Sequence, residues 1–267
     1  MRSVKFFIAA GAATLMSSAA LAADMAIAPP PYAPVVEDFG GWYLRGDIGF
    51  SNQRVDRLHN VLNNDATTSV QHLSFNSAGI FGLGAGYRFN NWFRADITGE
   101  YRGNSQFFGT ENLSYPGPSF GANTYHATKS EWVVLGNAYV DLGTWWCVTP
   151  FIGAGVGGAR VSINNFTDLN IPNNGVAYGD NVSKWNFAWA VHAGIAYRVT
   201  PNFTVELAYR YLDMGDGLTG DIRRFDGIND IYNPTTFKSI TSHDLKLGVR
   251  WDLYNPPVYQ PPIVRKG

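Results

Sequence analysis

The sequence predicts an all-β chain, an eight-stranded antiparallel up-and-down transmembrane β-barrel. Three observations predict it. Large apolar residues alternate with small or polar ones at period two, the mark of strands with two unlike faces. The alternating stretches run about 10–14 residues, enough for a tilted strand to cross a bilayer. The connections between them are short and long in turn. A helical membrane protein is excluded, because Asn, Arg, Asp, Gly or Lys breaks every apolar run and a spanning helix needs about 20 apolar residues.

The elements follow in chain order. Arg2 and Lys5 precede an apolar run from Phe6 to Met16, and Ala20-Leu21-Ala22 has the small-x-small form of a cleavage site. Residues 1–22 therefore read as a signal peptide, 23–40 as an Ala/Pro-rich periplasmic segment, 41–254 as the barrel and 255–267 as a Pro-rich periplasmic tail. The first strand sets Trp42, Leu44, Gly46, Ile48 and Phe50 against Tyr43, Arg45, Asp47, Gly49 and Ser51. The third sets Phe93 to Tyr101 against Arg94 to Arg102, and the sixth sets Trp185, Phe187, Trp189 and Val191 against Asn186, Ala188, Ala190 and His192. The seventh and eighth do the same with Phe203 to Tyr211 and Leu245 to Leu253 on the apolar side. The second (about 77–89), fourth (about 131–142) and fifth (about 150–161) alternate less cleanly and are Gly-rich.

Residues 90–91, 143–149 and 200–202 make short turns, while 54–76, 103–130, 162–184 and 214–241 read as long polar loops. Short periplasmic turns and long extracellular loops are the bacterial outer-membrane pattern. Trp42, Trp92, Trp145, Trp146, Trp251 and Tyr254 fall at the short-turn rim, and Trp132 and Trp185 at the long-loop rim. Two aromatic belts are what membrane–water interfaces select.

Composition agrees. Aromatic and charged residues each make up 15% of the chain, against roughly 25% charged in soluble domains. Counting 20 basic and 21 acidic residues, loss of Arg2 and Lys5 leaves a net charge of −3, so no nucleic-acid partner is expected.

Alternation alone would also suit a soluble lipocalin-type barrel. The polar face decides against it, because it mixes both signs of charge with Gly and Ala. Arg45, Asp47, Arg94, Asp96, Glu100, Glu206, Arg210, Lys246, Arg250 and Asp252 are expected as a paired network inside the barrel, since lone buried charges are costly. An eight-stranded interior is only wide enough to be filled by side chains, so a plugged barrel is expected.

These residues resemble the opacity-type, porin-like outer-membrane surface antigens of alphaproteobacteria. The carriers are the export signal with its Ala/Pro-rich sequel, the opening Gly40–Phe50 (GGWYLRGDIGF), the Gly-rich Gly82–Phe89 (GLGAGYRF) and the closing Leu245–Trp251 (LKLGVRW). The resemblance implies a surface-exposed envelope protein, antigenic through its loops, in a group where some members are credited with haem or host-surface binding. The chain departs from the pattern in its Pro-rich tail, where such barrels usually finish on an aromatic residue.

Other motifs read as structural. Gly153–Gly158 fits G-x-G-x-x-G, but no helix follows to hold a dinucleotide. Arg45-Gly46-Asp47 spells an adhesion tripeptide inside a strand. Asp96, Glu100 and Glu206 have no cleft to admit a sugar. His59, His72, His126 and His243, in or beside the loops, and inward His192 show no metal-ligand spacing. Cys147 is the single cysteine. No enzymatic activity, metal or cofactor is expected. The expected role is structural, with loop display; a narrow or gated pore and a haem or host-surface receptor are the alternatives. The expected partners are outer-membrane lipid and lipopolysaccharide, the barrel-assembly machinery, and peptidoglycan or a host surface.

Overall fold

The computed structural model describes residues 40–63, 67–117, 120–229 and 231–253, without the side chains of 68–70. The signal peptide, nearly all of the Ala/Pro-rich segment, Tyr254 and the tail lie outside the described residues. Eight strands build the barrel: β1 (Gly41–Arg54), β2 (Ala78–Arg88), β3 (Phe93–Ser114), β4 (Phe120–Asp141), β5 (Val148–Asn170), β6 (Val182–Arg198), β7 (Phe203–Asp213) and β8 (Thr241–Asp252). Each pairs antiparallel with its chain neighbours, and β1 closes the ring on β8.

The register sets the tilt. From Leu44 the ladder partners run through Ala85, Ile97, Gly136, Val156, Trp189, Asp213 and Thr241, and return to β1 at Arg54. That is a stagger of ten residues around eight strands. It corresponds to a strand tilt of about 40°, so each residue climbs about 2.5 Å along the barrel axis. Glycines let the strands close at this tilt. A Cβ on Gly157 would stand 2.0 Å from the carbonyl oxygen of Val134, while one on Gly99 would meet nothing within 4 Å.

Three of the expected loops are largely strand, which corrects the sequence reading. β3 and β4 form one long hairpin through most of residues 103–130, and β5 continues to Asn170. Thr67–Phe75 pairs with the upper half of β3, and Gly175–Gly179 folds back on the end of β5. Two bulges hide this continuity. Residues 103–104 of β3 face the single Ser130 of β4, and Asn165-Phe166 of β5 face Ala127. Asn165 takes a φ of 52° there, a conformation Asn tolerates better than most residues. Each bulge resets the alternation, and the Asn and Gly beyond it give weak strand signals.

Above the barrel wall the loops build a closed crown. Gly217–Leu218, Thr235–Lys238 and Arg57–Asn60 form a small separate sheet. Leu58, Phe75, Phe107, Phe166, Leu212, Met214, Phe237 and Ile240 pack beneath it into one apolar core. The rings of Phe107 and Phe237 meet edge-on at 4.8 Å. The sequence reading, which placed only loops here, missed this core.

Candidate functional site

The barrel interior is the most densely organised polar region among the described residues. Alternation turns Tyr43, Arg45 and Asp47 inward while Trp42, Leu44 and Ile48 face outward. The same geometry repeats on β3, β7 and β8, and it places all ten charged residues singled out in the sequence on the inner wall.

Apart from Asp252, which forms a separate pair with Arg88, they meet in a continuous chain of ion pairs. Near the short turns Arg88 binds Asp252 at 2.8 Å, and Arg94 reaches Asp141 at 3.2 Å and Glu206 at 3.4 Å. Arg250 also donates to Glu206. Arg45 spans the middle, 2.8 Å from both Asp47 and Asp96. Above it Lys246 touches Glu100. Arg210 donates to Glu100 at 2.8 and 2.7 Å and to Asp244 at 2.9 and 2.7 Å. Arg102 holds Asp244 from the other side at 2.7 Å and approaches Glu131 at 3.4 Å. Lys129 closes the chain on Glu131 and Gln53, just under the apolar core.

Eight cations (Arg45, Arg88, Arg94, Arg102, Lys129, Arg210, Lys246, Arg250) face eight anions (Asp47, Asp96, Glu100, Glu131, Asp141, Glu206, Asp244, Asp252) in these pairs. The interior charge is therefore balanced without a counter-ion, as burial at low dielectric requires. Arg102, Asp244, Lys129, Glu131, Asp141 and Arg88 were not among the candidates. Arg102 and Asp244 carried a signal, since both lie on the polar faces of alternating strands. Arg88 and Asp141 sit at strand ends, and Lys129 and Glu131 lie on the inward face of β4 in and beside the stretch read as a loop.

The remaining candidates fall elsewhere. Trp42, Trp92, Trp132, Trp145, Trp185 and Trp251 are exposed on the outer face, and Trp146 in a short turn is 97% exposed. By the rise along the strands the two aromatic bands stand roughly 20–25 Å apart, the height of an outer-membrane apolar band. His192 lies inside, its Nε2 3.2 Å from Asn137 Oδ1. His59, His72 and His126 lie on strands within the expected loops, a further correction, while His243 lies on β8 beside one. His243 Nδ1 is hydrogen-bonded to the Tyr209 hydroxyl at 2.6 Å. Gly153–Gly158 is plain strand in β5. No group of three or more His, Cys, Asp or Glu residues forms a metal cluster among the described residues.

The crown holds a second polar pocket, a cavity of about 160 Å³ lined by Asn123, Tyr125, Asp168, Asn233 and Thr235 among others. The Tyr125 hydroxyl donates to Glu111 at 2.7 Å. Burial, helped by the charge of Glu111, pushes the Asp168 carboxyl up to about 7.

A ring of eight neighbour-paired strands with an apolar outside and an ion-paired inside is the architecture of an outer-membrane barrel. The family model for the outer membrane protein beta-barrel domain matches residues 8–252. The chain belongs to this family. As an outer-membrane β-barrel it resides in the bacterial outer membrane. An uncharacterized protein of Brucella abortus is 33% identical over 223 residues, covering 75% of this chain and 78% of the relative. A protein of Rickettsia felis described as a candidate adhesin is 27% identical, covering 92% of this chain and 97% of its own. Among solved structures, Neisserial surface protein A aligns with a TM-score of 0.42 at 18% identity, over 80% of this chain and 97% of that one.

Proposed function

We propose that the protein is a closed surface barrel that braces the outer membrane and displays its crown to the outside, without carrying out chemistry. The observation that carries this is the filled interior. A balanced ion-pair network occupies the wall-lined volume, and an apolar core closes the extracellular end. An interior so packed leaves little room for a wide solute path. The arginines also engage the interior carboxylates in ion pairs, which suits structure better than acid–base work. Planar-bilayer recording tests the reading. No large, stable conductance is expected, and a defined open state of that kind overturns it.

Adhesion gains support as the use of the displayed surface. Phe225, Ile228, Ile231 and Tyr232 cluster in one crown segment, each at least 50% exposed. Grouped apolar side chains on a soluble surface mark a contact site, and one relative is described as a candidate adhesin. Changing these four residues to Ser should lower adherence of expressing bacteria to host cells; unchanged adherence removes this use.

The ends complete the proposal. Residues 1–22 direct export, and 23–40 and 255–267 lie in the periplasm beside the peptidoglycan. Deleting 255–267 should release the protein from isolated sacculi; unchanged association counts against that role.

A further inference from the structure

The outer face of the barrel wall is apolar between its aromatic bands, with one conspicuous exception. Across the ladders Tyr101 pairs with Trp132, Trp132 with Arg160, and Arg160 with Trp185. Arg160 is therefore flanked on both neighbouring strands by outward indoles of the extracellular belt. Its residue is exposed, and it makes no ion pair or side-chain hydrogen bond with any described residue. Every other arginine or lysine on a barrel strand points inward, or stands at or near a strand end as Arg54, Lys184 and Arg198 do.

The surroundings are those of an anion site. Trp185 leans over Gly158, its ring 3.5 Å from the place of a Cβ there. The indole thus covers the lipid side of the row. One step further out, Ser130 pairs with Ser162 and Ser162 with Ser183, and the Ser162 and Ser183 hydroxyls are 2.8 Å apart. Beyond them Thr128 pairs with Asn164. The outward face of β4–β6 at this level holds hydroxyls, an amide and one guanidinium, and no carboxylate.

The stagger of ten residues sets the height. Rows climb from β1 toward β8, so Arg160 stands slightly above Trp132 and slightly below Trp185. That is the headgroup level of the outer leaflet. An unpaired guanidinium is unfavourable against acyl chains, but it matches phosphate with two parallel hydrogen bonds, and indoles settle at the same depth.

We propose that Arg160, with the Ser130–Ser162–Ser183 hydroxyls, binds a phosphate group of a phosphorylated outer-leaflet glycolipid, held against Trp132 and Trp185. This rests on the surface-barrel reading and names the lipid chemistry that the barrel selects. The site orients one wall of the barrel, and with it the β3–β5 hairpins, toward a particular lipid neighbour.

The full chain is refolded into phosphatidylcholine vesicles that are plain, or doped with bisphosphorylated lipid A, or with the same lipid A after dephosphorylation, or supplied with inorganic phosphate. The temperature at which the folded, SDS-resistant band converts to the unfolded band is read on gels. Bisphosphorylated lipid A is expected to raise that midpoint, because a ligand bound only by the folded state stabilises it. Arg160→Gln should lose the increment, with apparent affinity about tenfold weaker, and Arg54→Gln should keep it. An equal increment in Arg160→Gln, an equal effect of dephosphorylated lipid A or of inorganic phosphate, or no effect of bisphosphorylated lipid A overturns the site. A folded band in plain vesicles for both variants separates this outcome from failure of the barrel itself.

Discussion

Replacing Arg210 with Met tests whether the interior is a dry network or a wet channel. The guanidinium makes four hydrogen bonds, at 2.7 to 2.9 Å, to Glu100 and Asp244, and it is fully buried. Met keeps much of the volume and removes the charge. Glu100 would keep only Lys246, and Asp244 only Arg102, so the interior would hold one more anion than cation. Removing one member of a buried pair costs about 3–5 kcal/mol, a change of roughly two to four powers of ten in the unfolding equilibrium. The double change Arg210→Met, Glu100→Gln restores charge balance and should recover most of that loss, since buried pairs can be exchanged for neutral side chains at little net cost. Urea unfolding in lipid vesicles, followed by tryptophan fluorescence, measures both. A loss below about 1 kcal/mol for the single variant would show charges solvated by water, and the plug would be refuted.

Three further outcomes are expected. Asp168 ionises near 3.8 when unfolded and near 7 in the crown. Between these values the folded state holds the extra proton, so stability falls as pH rises, by about 4 kcal/mol once pH passes 7. Corrected for the base-catalysed intrinsic rate of amide exchange, protection of the crown should be greater at pH 5 than at pH 8, and a difference in protection that survives in Asp168→Asn would assign it elsewhere. Gly157→Ala places a methyl 2.0 Å from the Val134 carbonyl oxygen, while Gly99→Ala has open space; the first should reduce the heat-modifiable folded band and the second should not, and equal yields would contradict the β4–β5 packing. Cys147 is exposed in a short turn, on the periplasmic side in the orientation proposed. A membrane-impermeant maleimide should label it only after the outer membrane is permeabilised, whereas Asn229→Cys in the crown should be labelled on intact cells; the reverse pattern inverts the topology.

The legible part of this protein was the part that depends on near neighbours in the chain. Side-chain facing in a strand repeats every two residues, so Trp42 outside and Arg45 inside could be read from a few positions, and so could the rims marked by Trp132 and Trp251. Partnership could not. Arg210 meets Glu100 across a chain separation of 110 residues because eight ladders add up to a stagger of ten. No single strand carries that sum. The bulges at residues 103–104 and Asn165 exchange the two faces of β3 and β5 without altering composition, which kept the continuation of these strands and the apolar crown they support out of view. Arg160 shows the same division. Its outward direction follows from alternation, but its place between Trp132 and Trp185 at the outer-leaflet height exists only once the sheet closes, since closure converts positions along separate strands into one level on one surface.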